Sequence, residues 1–115
     1  MNDLRIWHNP RCSKSRQTLA LLQERGLTPI IIDYRETPPD AAELRDTLKK
    51  LGRTAIEIIR TGDALFRELG LSKTDSQKKL ITAMASNPMQ IERPIVFSGT
   101  KAALGRPPEA VLEIL

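Results

Sequence analysis

Two short apolar runs flank one helix-length stretch, and that spacing decides most of what this chain can become. Leu4-Arg5-Ile6-Trp7 alternates in the manner of a short strand. Pro29-Ile30-Ile31-Ile32-Asp33-Tyr34 is a β-branched run and reads as a buried strand. Between them, Ser13 to Arg25 carries Leu19, Leu21 and Leu22 near a 3.6-residue period without a proline, and Gly26 stands where a helix C-terminal glycine belongs. His8-Asn9-Pro10-Arg11 supplies the turn that ends the first strand. Strands joined by a helical crossover must run parallel, and the crossover is right-handed in nearly all cases.

The middle of the chain is helical. Thr37-Pro38-Pro39-Asp40 starts a helix with Leu44, Leu48 and Leu51 inward and Gly52 at its end. Ile56, Ile58 and Ile59 mark a short second helix, Asp63 caps a third over Ala64 to Leu69, and Asp75 or Ser76 starts a fourth with Leu80, Ile81 and Met84 inward. Pro94 to Ser98 and Lys101 to Leu104 then read as a hairpin about Gly99-Thr100, and Pro107 opens a last helix carrying Val111, Leu112 and Leu115. The expectation is one α/β domain over residues 1–115: a four-stranded mixed sheet flanked by helices, with a helical insertion at about 40–88. This is the element order of a thioredoxin-like fold.

Composition narrows the chemistry. The chain has 115 residues, 40% of them hydrophobic, which suffices for one core without metal or disulfide staples. Its single cysteine excludes an internal disulfide and a multi-cysteine zinc site, so the thiol is either inert filler or a reagent in a reducing compartment, with the cytosol expected. Neither a membrane span of ~20 apolar residues nor the layout of a signal peptide at Met1-Asn2-Asp3-Leu4-Arg5 is present. The net charge of +4 is scattered among acids and only 3% of residues are aromatic, which speaks against a nucleic-acid surface.

Cys12 lies in the turn just before the first helix, where backbone N–H groups and the helix dipole favour a thiolate. Arg11, Lys14 and Arg16 add positive charge, and Ser13 and Ser15 are placed to donate hydrogen bonds to the sulfur. His8, four residues earlier, is the only histidine: it either tunes the thiol, as imidazolium or as base, or merely bonds a carbonyl at the strand end. Cys12-Ser13-Lys14-Ser15 keeps the spacing of a dithiol motif but puts serine at its second position. A sulfur that is oxidised or bonded to substrate therefore needs a thiol from another molecule to release it. Arg60, Arg93 and Arg106 sit in turns or at element ends, where ligands are met. If they converge on Cys12, their N–H forks match a tetrahedral oxyanion; otherwise each is a solvated or ion-paired surface residue. The Arg93–Pro94 bond, at the head of the third strand, is a candidate for the cis form.

His8-Asn9-Pro10-Arg11-Cys12-Ser13-Lys14-Ser15-Arg16, Tyr34-Arg35-Glu36-Thr37-Pro38-Pro39, Ile59-Arg60-Thr61, Glu92-Arg93-Pro94-Ile95 and Gly105-Arg106-Pro107-Pro108-Glu109 together resemble the glutaredoxin-dependent arsenate reductase family, nearly end to end. Trp7 stands where that family often has tyrosine. The resemblance implies a thioredoxin-like fold with a helical insertion and a cytoplasmic enzyme, expected to be a monomer, that reduces arsenate to arsenite. It implies Cys12 as nucleophile, His8 and Ser15 as the residues that keep it ionised, and Arg60, Arg93 and Arg106 as the oxyanion-binding arginines. Glutathione is then a co-substrate and glutaredoxin a partner, with no metal and no bound cofactor. Rival readings within the superfamily are a redox-sensing, RNA-polymerase-binding regulator and a thiol enzyme acting on another oxyanion.

Overall fold

β1 (Leu4–His8) has hydrogen-bonded neighbours on both sides. β2 (Ile30–Asp33) runs parallel to it, with Ile6 opposite Ile31 and His8 opposite Asp33. β3 (Ile95–Ser98) runs antiparallel on the other side, with Ile6 opposite Val96, and β4 (Lys101–Leu104) extends the sheet to the order β2-β1-β3-β4. The hairpin loop needs a positive φ, and Gly99 supplies it at 60°. This is the expected thioredoxin-like mixed sheet, seen in a computed structural model that describes residues 4–115; the sequence reading at Met1–Asp3 lies outside them.

The chain divides into two compact units. The first joins the residues up to Thr37 with Arg93–Leu115; the second is Pro38–Glu92. In the first unit, Leu4, Ile6 and Val96 from one sheet face bury against Leu22 and Val111. Each such side chain contributes roughly 1.5–3 kcal/mol on burial. Leu22 comes from α1 (Ser13–Glu24), whose last turn closes through Gly26 at φ 76°. The opposite sheet face carries Trp7 edge-on to Phe97, centroids 4.9 Å apart, with the Arg5 guanidinium 4.8 Å from the Phe97 ring centre.

Two expectations for this unit are corrected. The run Ile30-Ile31-Ile32 is not a buried strand: β2 is the sheet edge, and Ile30 and Ile31 are each 50% exposed. A β-branched run suits a pleated backbone whether or not another strand covers it. The helix expected after the turn is α1, with Leu22 in the core, Leu19 partly buried against it, and Ser15 and Thr18 also buried. The terminal helix is 3₁₀ over Pro108–Ile114. At three residues per turn Pro108, Val111 and Ile114 share a face, so Ile114 packs on the core while Leu115 is 49% exposed.

The second unit is helical. Asp40 caps α2 (Ala41–Leu51) by accepting from the Glu43 amide at 2.8 Å, and Gly52 ends it at φ 67°. α3 (Ala55–Ile58), α4 (Ala64–Glu68) and α5 (Gln77–Ser86, capped by Ser76) follow. Leu44, Leu48, Ile58, Leu80, Ile81 and Met84 are buried, whereas Leu51 is only half-buried and Thr47 takes an inward place on α2. Ile59 is not helical; it bridges antiparallel to Ile91. Asp63 does not cap α4 through its side chain, because its carboxylate bonds the Arg60 guanidinium. No helix among the described residues is long and apolar enough to cross a membrane.

Candidate active site

The loop from His8 to Cys12 is tied down by its own backbone. The Cys12 amide donates to the Asn9 carbonyl at 3.0 Å, closing a turn, and the Arg11 amide donates to Asn9 Oδ1 at 3.0 Å. Arg16 reaches back from α1 to the Pro10 carbonyl at 2.9 Å. Asn9 is only 2% exposed, so the turn is anchored inside the unit and Cys12, half-buried, is delivered to the start of α1.

Burial pushes the Cys12 thiol pKa up, but the Ser15 amide, the Arg93 side chain and the Lys14 amide outweigh it, and the net shift is downward. Those amides act on the sulfur at the helix N-terminus without completing a cap hydrogen bond of good geometry. Arg106 Nη2 lies 3.9 Å from Cys12 Sγ, and its Nε donates to the Arg93 carbonyl at 2.9 Å. The thiolate thus meets backbone amides and two guanidiniums. An anionic tetrahedral group brought against the sulfur would find donors already aimed at its oxygens.

Ser15 serves this arrangement differently from the expectation. Its hydroxyl does not point at the sulfur: Oγ lies 2.6 Å from His8 Nδ1 and accepts from the Asn9 amide at 3.0 Å. With the amide N–H donated into it, the hydroxyl still has a proton to give and a lone pair to offer, so it can pair with Nδ1 of a neutral imidazole in either tautomer. Burial pushes the His8 pKa down, the Asp33 carboxylate opposes this, and Arg35 and Arg16 add to the lowering. Of the roles open to His8, the imidazolium is therefore disfavoured. What acts on the sulfur from Ser15 is its amide, held by the Ser15–His8–Asn9 network.

The first unit therefore gathers His8, Cys12, Ser15, Arg93 and Arg106. Arg60 belongs to the second unit, where its guanidinium lies 3.3 Å from Asp63 Oδ2 and 3.6 Å from Glu92 Oε2. The Arg93–Pro94 bond is cis, and so is Arg106–Pro107, which nothing in the sequence singled out. Sequence reading also missed Asn9, whose Asn-Pro signal pointed only to a turn, and Asp33, which holds Arg35 through two bonds of 2.9 and 2.7 Å beside His8. It missed Gly105 as well: a Cβ there would meet Pro94 Cγ and Thr18 Oγ1 at 2.6 Å each.

Comparison with known proteins adds to this geometry. The model of the ArsC family matches residues 7–114. The uncharacterised protein YfgD of Escherichia coli (strain K12) is 54% identical over 114 residues, which cover 97% of this chain and 96% of that one. The arsenate reductase of Neisseria meningitidis serogroup A is 45% identical over 117 residues, covering both chains in full. Among solved structures, the arsenate reductase from Vibrio cholerae superposes with a TM-score of 0.93 at 46% identity over 97% of each chain.

Proposed function

Starting from the fact that the chain belongs to the ArsC family, we propose that it is an arsenate reductase in which Cys12 is the nucleophile and thiols from outside the chain supply the electrons. The observation that carries this reading is the Cys12 sulfur, depressed in pKa and set beside Arg93 and Arg106.

In the proposed cycle the Cys12 thiolate attacks arsenic and displaces one arsenate oxygen, which leaves as water after protonation. The product is a thiol ester of pentavalent arsenic. Arg93 and Arg106 take up the charge on the remaining oxygens. A glutathione thiolate then attacks the ester sulfur; the electron pair of the S–As bond stays on arsenic, which becomes trivalent and leaves as arsenite. The protein is left as a Cys12–glutathione disulfide. Because Ser15 stands where a second cysteine would resolve it, glutaredoxin or a further glutathione must attack that disulfide and restore the thiolate. Such a cycle suits a reducing compartment such as the cytoplasm.

The test is arsenate-dependent NADPH consumption in the presence of glutathione, glutaredoxin and glutathione reductase, with Cys12→Ser and Arg93→Ala beside the parent. The expected result is turnover in the parent, none in Cys12→Ser, and a drop of about 10²–10³ in kcat/KM for Arg93→Ala, the usual loss for an oxyanion donor. A folded parent that consumes no NADPH on adding arsenate overturns the substrate.

A further inference from the structure

An open groove of about 520 Å³ lies beside the reactive turn, between α1 and the segment that follows Arg106. Its volume is in the range of small-molecule sites. One wall is a stripe of α1 at i, i+3, i+7 and i+10: Lys14, Gln17, Leu21 and Glu24. Pro107, Pro108 and Glu109 form the other. Each wall begins next to a residue at the sulfur, since the Lys14 amide acts on Cys12 and Pro107 follows the arginine that contacts it.

The groove is polarised. Lys14 stands in the first turn of α1, beside Cys12, while Glu24 is the last residue of that helix, ~15 Å away along its axis. The helix dipole adds to the same gradient, positive at the sulfur end and negative at the far end. The side chains of Lys14, Glu24 and Glu109 have no hydrogen-bond or ion-pair partner among the described residues, so their charges are available to a ligand. Leu21 and the two prolines give the walls their apolar surface.

We propose that this groove is the subsite for the thiol co-substrate, and that it selects an extended peptide thiol with a carboxylate close to its sulfur and an ammonium group farther away. Glutathione has that layout: the glycine carboxylate is next to the cysteine, and the γ-glutamyl ammonium is at the other end, beside a second carboxylate that stays in the open, solvent side of the groove. An extended tripeptide covers ~10 Å, which fits the distance between the tips of Lys14 and Glu24 once their side chains lean inward. Lys14 takes the carboxylate, Glu24 takes the ammonium, and the thiol is presented toward Cys12. This rests on the reading of Cys12 as a centre served by an outside thiol.

The experiment separates the two. S-Methylglutathione, which cannot react, is titrated into isotopically labelled protein while amide shifts are followed by NMR, with no arsenate present. Shifts at Gln17, Leu21, Glu24 and Glu109, and a Kd raised about tenfold or more by Glu24→Lys, support the groove. Shifts elsewhere, or none, overturn it whatever the arsenate assay gives; shifts at the groove without arsenate turnover overturn the substrate instead. As a second readout, Lys14→Ala should raise the KM for glutathione while leaving the KM for its glycine ethyl ester, already blocked at the carboxylate, unchanged. Equal effects on both thiols would overturn the role of Lys14.

Discussion

Arg106 Nε donates to the carbonyl of Arg93 at 2.9 Å while the same guanidinium brings Nη2 to 3.9 Å from Cys12 Sγ. One planar fork therefore fixes the backbone of the other arginine and faces the sulfur. A lysine carries the charge but cannot make both contacts from one rigid head. Arg106→Lys should accordingly lose most of what Arg106→Ala loses, about 10²–10³ in kcat/KM for arsenate. A lysine variant with more than half the parent activity would show that only the charge matters.

The reactivity of Cys12 should depend on pH in a way that identifies its partners. Because the folded thiol pKa is depressed, alkylation by iodoacetamide should rise through a midpoint below the ordinary thiol value of about 8.5. In Arg93→Ala the burial that pushes the pKa up meets less opposition, and the midpoint should move upward. The same shift is a stability term. It is fully present above the unfolded thiol pKa and is lost as pH falls through the folded one. Urea unfolding across that interval should show the slope in the parent and not in Cys12→Ser.

The turn before α1 was legible in the sequence because its signals are local: a proline, an asparagine and a cysteine placed where a helix must begin. The order of elements was legible for the same reason, since periodicity and glycine caps are written within a few residues. What was not legible depends on partners distant in the chain. Whether Ile30 and Ile31 are covered is set by the edge position of β2, and Ser15 bonds His8 rather than the sulfur because strand and helix meet at a particular height. Val111 and Ile114 share a face only because the last helix is wound at three residues per turn. Spacing showed the arginines as candidates; that Arg106 reaches across to Arg93 and Cys12 is a matter of tertiary structure.

The Ser15–His8 contact predicts a loss of both stability and ionisation. Ser15→Ala leaves His8 Nδ1 and the Asn9 N–H without their shared partner in a buried place, a cost of about 1–3 kcal/mol by urea unfolding. In the parent, NMR titration of the imidazole should give a midpoint below the ordinary value near 6.5, because burial opposes the charged form. The unfolded chain then takes up the proton first. Stability from this group is complete above about pH 6.5 and declines as pH falls through the folded pKa. An imidazole midpoint at or above 6.5 would overturn the neutral His8.

Gly105 links the sheet to the arginine that meets the sulfur, and its lack of a side chain is what allows the approach. Its amide donates to the Pro94 carbonyl at 2.9 Å, and an added Cβ would lie 2.6 Å from Pro94 Cγ and from Thr18 Oγ1. Neither neighbour can withdraw freely: the proline ring is bound to the backbone at the head of β3, and Thr18 is fully buried with its hydroxyl bonded to the Lys14 carbonyl at 2.8 Å. Gly105→Ala should therefore cost about 1–3 kcal/mol, in the range of an overpacked core. The displaced backbone carries Arg106 with it, so arsenate turnover should fall more than the fraction unfolded explains. Removing one of the two clashes in Gly105→Ala/Thr18→Ala should recover part of the stability. A single variant as stable and as active as the parent would mean that the close approach is not what positions Arg106.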